Sequence, residues 1–388
     1  MQREIYLDNS ATTRICEAAL DKYVEISREC YGNPSSLHAL GFKAEKILDS
    51  VRTEVASSLG LNSAEVIFTA SGSEANNLAI FGRAFAKERF RKGAKIITTE
   101  GEHASVGEPL SRLSELGFEI VKIPTVGGVL DMDVLRREMT KNVVLVTMMM
   151  VNNETGAIYD TAAVAKIMRA AAPDALLHID ATQSYLKFPF TFTAVGADMM
   201  TVSSHKIEGP KGVGALVTTQ NVIKSKAITP LTLGGGQEKG YRSGTENVPG
   251  IAAFGEAIKI ARRELRERYT KLTELERYLT EQLERDCAEV SITRPPKKAP
   301  HILNITLPKI KSETMLHHLS SYGVYVSSGS ACSSNSSHVS SALTAFGRSA
   351  AEADSSLRIS LSHRTEREDI DALIEALSIG LTKLSRMK

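Results

Sequence analysis

Short apolar runs alternate with longer stretches of helical periodicity from about residue 60 to residue 220. This alternation is the pattern of strands and helices in a parallel α/β sheet. Seven runs have the length and the apolar content of buried strands: 65–69, 95–98, 119–123, 143–149, 176–179, 199–203 and 214–217. The pattern therefore predicts a large α/β domain with a mainly parallel, seven-stranded sheet between helices.

Polar residues cluster directly after several of these predicted strands, in the segments 71–76, 102–103, 152–154, 180–183 and 203–206. In open α/β sheets, ligands bind beyond the carboxyl ends of the strands. We therefore expect these segments to converge on one crevice.

The second half of the chain changes character. A glycine-rich stretch, 229–250, is interpreted either as a functional loop or as a flexible surface excursion. A helical pattern over 251–287 follows it. Further strands are predicted at 290–293, 302–307, 324–327 and 357–361, with a helix at 366–383. We infer a smaller α/β domain, formed by 1–14 and 256–388, beside a large domain formed by 15–255.

Composition excludes several classes of function. The 388 residues are 42% apolar and 24% charged, and 47 Lys and Arg nearly balance 45 Asp and Glu. No broad basic surface for nucleic acid is implied, so small-molecule chemistry is favoured. The polar N-terminus and the short apolar runs predict neither a signal peptide nor a membrane span. Four scattered cysteines are expected to be reduced thiols of a cytoplasmic protein.

One turn has the composition of a phosphate site. Ser71, Gly72 and Ser73 stand between a predicted strand and a predicted helix, where backbone N–H groups and the helix dipole favour a phosphate. An ordinary helix cap is the alternative interpretation. The sequence has no nucleotide-binding glycine motif of the P-loop or dinucleotide type, so a different phosphorylated cofactor is indicated.

Asp180 and Lys206 each follow a predicted strand at the same sheet edge. Pyridoxal phosphate requires a lysine amine for its covalent attachment and a carboxylate that keeps its pyridine nitrogen protonated. With the Ser-Gly turn and with Ser203 and His205 nearby in sequence, the pair predicts this cofactor. His103, at the same edge, is a candidate for stacking on the ring and for proton transfer. The histidines and cysteines lack metal-ligand spacing, so no metal site is predicted.

The segment 327–341 is unusual, because nine of its fifteen residues are serine. Such a composition does not fix itself by packing. It is either a linker in which Cys332 is incidental or a mobile carrier of a nucleophilic thiolate, and both interpretations stand on composition alone.

Taken together, the chain resembles the cysteine desulfurases of the class V aminotransferase group, which are fold-type I pyridoxal phosphate enzymes, and it is most similar to their NifS/IscS-like branch. The motifs that carry the resemblance are YLDNSATT (6–13), GNPSSLH (32–38), SGSEANNLA (71–79), GEH (101–103), VNNETG (151–156), HIDATQS (178–184), SSHKIEGPKGVGAL (203–216), GGGQEKGYRSGTENV (234–248) and SSGSACSS (327–334). Glu208 departs from the family pattern, since many relatives carry an aromatic residue there.

The resemblance implies a role for each candidate site residue. Lys206 would hold the cofactor, Asp180 would pair with its pyridinium nitrogen, and His103 would stack on its ring. The remaining residues fall into three groups: Gln183 and Asn153 on the ring oxygen side; Gly72, Ser73, Ser203, His205 and, across a homodimer, Thr245 around the phosphate; and Arg358 and Asn33 at the substrate carboxylate.

The implied reaction converts L-cysteine to L-alanine and leaves the sulfur on Cys332 as a persulfide. An acceptor protein, for iron–sulfur cluster assembly or for thiolation, would then receive the sulfur. Two alternatives are a selenocysteine lyase and a dimeric platform that binds pyridoxal phosphate without turnover. Lys206, His103 and Cys332 are all present, which argues against the platform.

Overall fold

The computed structural model describes residues 3–62, 65–86, 93–328 and 340–385. Its strands are β1 (Ile5–Tyr6), β2 (Glu65–Thr69), β3 (Lys95–Thr99), β4 (Glu119–Ile123), β5 (Val143–Met149), β6 (Leu176–Asp180), β7 (Met199–Ser203), β8 (Gly214–Thr218), β9 (Ser291–Ile292), β10 (Ile302–Thr306), β11 (Val324–Tyr325), β12 (Ser327–Ser328) and β13 (Ser356–Ser360). Its helices are α1 (Glu17–Glu29), α2 (Ala39–Ser58), α3 (Gly72–Ala84), α4 (Ala104–Glu115), α5 (Met132–Glu138), α6 (Thr161–Ala171), α7 (Gln220–Lys224), α8 (Val248–Arg263), α9 (Leu265–Asp286), α10 (Ser312–Ser321), α11 (Ser341–Phe346), α12 (Ala350–Asp354) and α13 (Arg367–Ser385).

The large sheet has the order β2-β8-β7-β6-β5-β3-β4. Strands β3 to β7 pair in parallel, whereas β8 runs antiparallel to both β2 and β7. The connection between β7 and β8 is shorter than the roughly twelve residues that a parallel crossover requires, so β8 must turn back. The prediction of a mainly parallel, seven-stranded sheet is confirmed.

Both faces of this sheet are buried. On β2, Val66 and Phe68 pack into one hydrophobic cluster, and Ile67 between them packs into another on the opposite face. Helices α1, α2 and α8 contribute to the first cluster, and α3 and α4 to the second. A sheet covered on both faces explains why its strands are continuous apolar runs rather than alternating ones.

A second sheet, β12-β13-β10-β9, is antiparallel, and β1 pairs in parallel with β11. Its core joins Ile5 and Leu7 to side chains from the range 272–381. The smaller α/β unit predicted from the sequence is therefore present. The boundaries proposed for the two domains stay a prediction.

The helical pattern over 251–287 forms two helices instead of one. They meet at Glu264, whose backbone torsions are φ −98° and ψ 2°. The hydrogen-bond ladder continues across the junction, because the Glu264 N–H donates to the Ile260 carbonyl and the Arg268 N–H donates to the Glu264 carbonyl. The junction is thus a local bend. Across the described ranges, no helix combines the length and the apolar character needed to cross a bilayer.

A buried ion pair anchors the glycine-rich stretch to the large sheet. Glu238 is 5% exposed, and its carboxylate accepts hydrogen bonds from Arg52 Nη1 at 2.8 Å and Nη2 at 2.7 Å. The same carboxylate accepts the Phe68 backbone N–H at 2.8 Å, on β2. Bidentate pairing and a backbone donor together satisfy this charge in the protein interior.

We predict that Arg52→Ala lowers the free energy of unfolding by about 3 kcal/mol, because it leaves the Glu238 carboxylate buried without its cation. Urea unfolding followed by circular dichroism measures the change. Lys239→Ala is the matched control: Lys239 belongs to the same stretch, but its side chain is 64% exposed in its pair with Glu65. That exposed pair is worth less than about 1 kcal/mol, and equal losses in the two variants would contradict the interpretation.

Candidate active site

A cavity of about 290 Å³ opens at the carboxyl ends of β5, β6 and β7. Ten of the residues selected from the sequence line it: Gly72, Ser73, His103, Asn153, Asp180, Gln183, Ser203, His205, Lys206 and Arg358. The expected convergence on one crevice is thus observed. Parallel strands end at a common edge, so residues far apart in sequence meet there.

Asp180 is the last residue of β6, and only 6% of it is exposed. Its carboxylate accepts one hydrogen bond from Asn76 Nδ2 and one from the Thr182 backbone N–H, both at 2.9 Å. The two donors compensate a buried negative charge and fix its orientation. Asn76 also donates to Ser105 Oγ at 2.9 Å, which ties α3 to α4 behind the carboxylate.

Lys206 ends the short turn that follows β7. Its Nζ donates to the backbone carbonyls of Ser10 at 2.6 Å and Ala11 at 2.8 Å. Gln183 Nε2 donates to the same Ser10 carbonyl at 2.9 Å. The segment after β1 therefore forms a wall of the cavity. The sequence analysis gave this segment no role at the site.

His103 caps α4, where its Nδ1 accepts the Ser105 backbone N–H at 3.1 Å. Burial lowers the pKa of its imidazole, opposed by the charge of Asp180, while Lys206 and Arg358 lower it further. The ring is therefore neutral at neutral pH, and a neutral imidazole can accept a proton. This is the state that proton transfer requires.

The turn at the start of α3 has the features of an anion cradle. The Ser203 hydroxyl is buried and has no hydrogen-bond partner within the described residues. A Cβ on Gly72 would lie 3.3 Å from Ser203 Cβ and 3.3 Å from Thr182 Oγ1, so only glycine leaves the space open. Burial and the charges of Lys206 and Lys211 lower the pKa of His205 to about 4. Helix N–H groups and an unused hydroxyl suit a phosphate.

Arg358 lies on β13 and extends into the cavity from the second sheet. Its Nη1 donates to the Asn153 carbonyl at 3.0 Å, and its Nη2 donates to Asp8 Oδ1 at 2.9 Å. Burial raises the pKa of the Asp8 carboxyl, and the charge of Arg358 opposes that rise. Asp8 is a site residue that sequence reasoning missed, although it lies inside the quoted motif at 6–13.

Two of the predicted site residues do not line this cavity, and a third lies outside the described residues. Asn33 is exposed between α1 and α2, where its Oδ1 accepts the Ser35 backbone N–H. Thr245 lines a separate cavity of about 150 Å³ beside Glu238 and Arg242. Cys332 lies outside the described residues. The roles of all three stay predictions.

A partly buried glutamate holds the described C-terminal end of the serine-rich segment. Ser340 is the N-cap of α11, and its Oγ donates to Glu154 Oε2 at 2.6 Å. Burial raises the pKa of Glu154 to about 7, against the effects of the Ser340 hydroxyl and Arg358. Asn153, the neighbour of Glu154, lines the cavity. This contact fixes the described end of the segment next to the site.

These residues fit pyridoxal phosphate. The amine of Lys206, the hydrogen-bonded carboxylate of Asp180 and the anion cradle at Gly72 and Ser203 lie around one cavity, which is the donor set that this cofactor requires. In the described part of the chain, no group of three or more His, Cys, Asp or Glu side chains is placed to hold a metal ion.

The family model of the class-V aminotransferases matches residues 5–373, and the chain belongs to this family, whose members depend on pyridoxal phosphate. The chain is 38% identical to the cysteine desulfurase IscS of Dictyoglomus turgidum over 386 residues, which covers 99% of this chain and 96% of that protein. A solved NifS-like protein superimposes with a TM-score of 0.90 at 33% identity, covering 98% of this chain and 100% of that chain. The structure of SspA in complex with cysteine gives a TM-score of 0.79 at 29% identity, covering 94% of this chain and 100% of that chain.

Glu102 provides a pH-dependent test of the packing behind the site. Its carboxyl group accepts the Thr99 hydroxyl at 2.6 Å and the Met149 backbone N–H at 3.0 Å. Burial raises its pKa to about 8; the hydrogen bonds oppose the rise, and the charge of Asp180 adds to it. Between the unfolded and the folded pKa, the folded chain keeps a proton that the unfolded chain releases, so this contribution to stability is lost as pH rises.

We therefore predict that the wild-type free energy of unfolding, relative to Glu102→Gln, falls as pH is raised from about 5 to about 9. Urea unfolding at a series of pH values measures the difference. Glu108→Gln, at an exposed position on α4, is the control, because it removes a carboxyl group that the fold does not bury. A flat profile for Glu102→Gln would show that burial does not hold this carboxyl neutral.

Proposed function

We propose that this protein is a pyridoxal-phosphate-dependent cysteine desulfurase. It converts L-cysteine to L-alanine and transfers the sulfur to Cys332, from which an acceptor protein for iron–sulfur cluster assembly or for thiolation receives it. The observation that carries the proposal is the meeting of Lys206, Asp180, His103 and Arg358 around one cavity, in a chain 38% identical to a protein named cysteine desulfurase. We propose the cytoplasm as its location, where reduced thiols persist.

The residues of the chain divide the work of this reaction. When bound, pyridoxal phosphate supplies an electron sink that weakens the bonds at Cα and Cβ of the substrate. Asp180 is placed to keep a pyridinium nitrogen protonated, and Lys206 is the amine that attaches the cofactor. His103, neutral through burial, is placed to accept and return protons. Arg358 holds the substrate carboxylate.

The sulfur step balances as a displacement on sulfur. The Cys332 thiolate attacks the substrate sulfur, the Cβ–S bond breaks, and a new S–S bond leaves a persulfide on Cys332. Cβ then takes up a proton, which gives alanine. No external oxidant is required, because the substrate carbon is reduced as the two sulfur atoms are oxidised. A thiolate is the attacking species, so deprotonation of Cys332 precedes the step.

The names of the relatives do not favour the alternatives of a selenocysteine lyase or a platform without turnover. SspA, a structural neighbour, has been solved with cysteine bound, which supports L-cysteine as the substrate class.

We predict that Cys332→Ala lowers alanine formation from L-cysteine by about a hundredfold or more, because it removes the nucleophile of the covalent step. Alanine is measured with purified protein, L-cysteine and a thiol reductant. Ser333→Ala, one position further along the same segment, is the matched control and should retain the parent rate. Equal alanine from Cys332→Ala and the parent would refute transfer through this thiol.

We also propose that the protein acts as a homodimer. Exposed large apolar side chains concentrate in two segments, one with Leu20, Tyr23, Val24, Tyr31, Leu37, Leu40 and Phe42, and the other with Leu231 and Leu233. Leu37 and Leu233 are 106% and 80% exposed. Such a concentration marks a protein interface. Thr245 follows the second segment and does not line the cavity of its own subunit. This position is consistent with a contribution of Thr245 to the phosphate site of the partner subunit.

A mixed dimer tests this arrangement. We predict that mixed dimers of a Lys206→Ala subunit and a Thr245→Ala subunit, co-expressed with different affinity tags and purified through both tags, have about half of the parent activity. One of the two sites then combines an intact Lys206 with an intact Thr245 from the other subunit. Each variant alone is the control and should be impaired at both sites. If Thr245 served its own subunit, the mixture would be no more active than Thr245→Ala.

A further inference from the structure

Glu208 is a buried carboxylate two residues beyond Lys206, and it is only 5% exposed. Two arginines and a histidine face it, and burial lowers the pKa of the histidine, His363, to about 4, so the arginines carry the positive charge. Arg268 Nη1 donates to its Oε2 at 3.0 Å, Arg364 Nε lies 2.9 Å from its Oε1, and His363 Nε2 lies 3.8 Å from its Oε2. The loop that carries Lys206 is therefore bonded through charge to α9 and to the chain that follows β13.

The backbone of Glu208 is held as firmly as its side chain. Its φ is 66°, in the left-handed region that non-glycine residues seldom adopt. Its N–H donates to Thr13 Oγ1 at 2.8 Å, and its carbonyl accepts the Cys16 N–H at 2.9 Å. Unfavourable torsions persist where the surroundings over-determine them, and such places cluster at functional sites. Glu208 is fixed on both of its sides.

The position of Arg364 gives this cluster a role beyond neutralising charge. Arg364 follows Arg358 along one chain segment, just as Glu208 follows Lys206 along another. The contact between Glu208 and Arg364 consequently joins the segment with the cavity's amine to the segment with its guanidinium. Lys206 and Arg358 both line the cavity, one from each sheet. Their separation therefore depends in part on this contact, alongside the hydrogen bonds of Arg358 to Asp8 and to the Asn153 carbonyl.

We propose that Glu208 is a positioning residue that fixes the distance between Lys206 and Arg358 and thereby selects ligands that carry both an amino group and a carboxylate. This inference rests on the proposed function for the use of the two handles. A ligand whose amine takes the place of Lys206 on the cofactor while its carboxylate binds Arg358 must match the separation of the two side chains, and a displacement of about 1 Å is costly for groups that act together. A ligand with an amine alone does not depend on that distance.

The chain offers a matched control for the charge cluster. Glu264 Oε2 accepts from Arg268 Nη2 at 2.9 Å and from Arg268 Nε at 3.1 Å. Glu264 and Glu208 thus share Arg268 as a partner. Glu264 lies one helical turn before Arg268, at the start of α9, and the contacts described for it do not include the loop that carries Lys206. Lys187 also lines the small cavity beside Glu208. Burial lowers the pKa of its amine to about 8, the charge of Glu208 opposes this lowering, and the charge of Arg268 adds to it.

The test uses the holoenzyme and the absorbance of its bound cofactor. Two ligands are titrated into the parent, Glu208→Gln and Glu264→Gln: L-alanine, which has both handles, and ethylamine, which lacks the carboxylate. We expect Glu208→Gln to weaken L-alanine by about tenfold while ethylamine changes by less than about twofold. Glu264→Gln should change neither. Equal weakening of both ligands, no weakening of L-alanine, or no response of the parent to L-alanine would overturn the proposal.

A second variant keeps the result independent of folding. The Arg364 side chain is 41% exposed, so Arg364→Gln removes one contact of the cluster with little disturbance of the core. It should weaken L-alanine selectively, in the same direction as Glu208→Gln. If Glu208→Gln fails to retain cofactor and Arg364→Gln shows no selectivity, the cluster is merely structural. Alanine formation from L-cysteine by the parent separately decides the proposed function, because the titrations require no turnover.

Discussion

The common direction of four strands is the constraint on which the site depends. Strands β3, β5, β6 and β7 are parallel, so their carboxyl ends deliver His103, Asn153, Asp180 and Lys206 to one edge. The antiparallel β8 contributes differently. Because it returns directly after β7, the connection between them is short, and Lys206 is held close to the end of its strand.

Convergence at one edge brings like and unlike charges together in the protein interior. Each buried charge there is compensated by its own hydrogen-bond or ion-pair partners. Asp180 is held by donors from Asn76 and Thr182. Arg358 is held by Asp8 and a backbone carbonyl. Glu102 avoids the cost differently: burial raises its pKa to about 8, and a hydroxyl and a backbone N–H hold its carboxyl group. A site with several buried ionisable groups is stable only where these partners are built into neighbouring elements. The motifs of the sequence are therefore longer than the reacting residues alone.

Strand positions were predictable from the sequence, because strands buried on both faces are continuous apolar runs between polar turns. The prediction for β5 matches the observed Val143–Met149. The points where helices end or bend were not predictable. One predicted helix divides into two at Glu264, where no glycine or proline marks the change. The convergence of Asp180 and Lys206 followed from sheet topology. The wall formed by Ser10 and Ala11 did not, since it uses carbonyl oxygens, which every residue possesses and no composition reveals.

Charge pairing was also hidden from the sequence, and Arg358 shows why this matters for function. The resemblance assigned this arginine to the substrate carboxylate, yet the structure gives one of its terminal nitrogens to Asp8. Its Nε is buried and has no partner within the described residues, so the guanidinium retains a donor for a third acceptor, beyond Asp8 and the Asn153 carbonyl. A ligand carboxylate at this arginine would stand beside the Asp8 carboxylate, and two like charges in one place raise each other's pKa. Asp8 therefore sets the electrostatic cost of admitting any acidic ligand to this cavity.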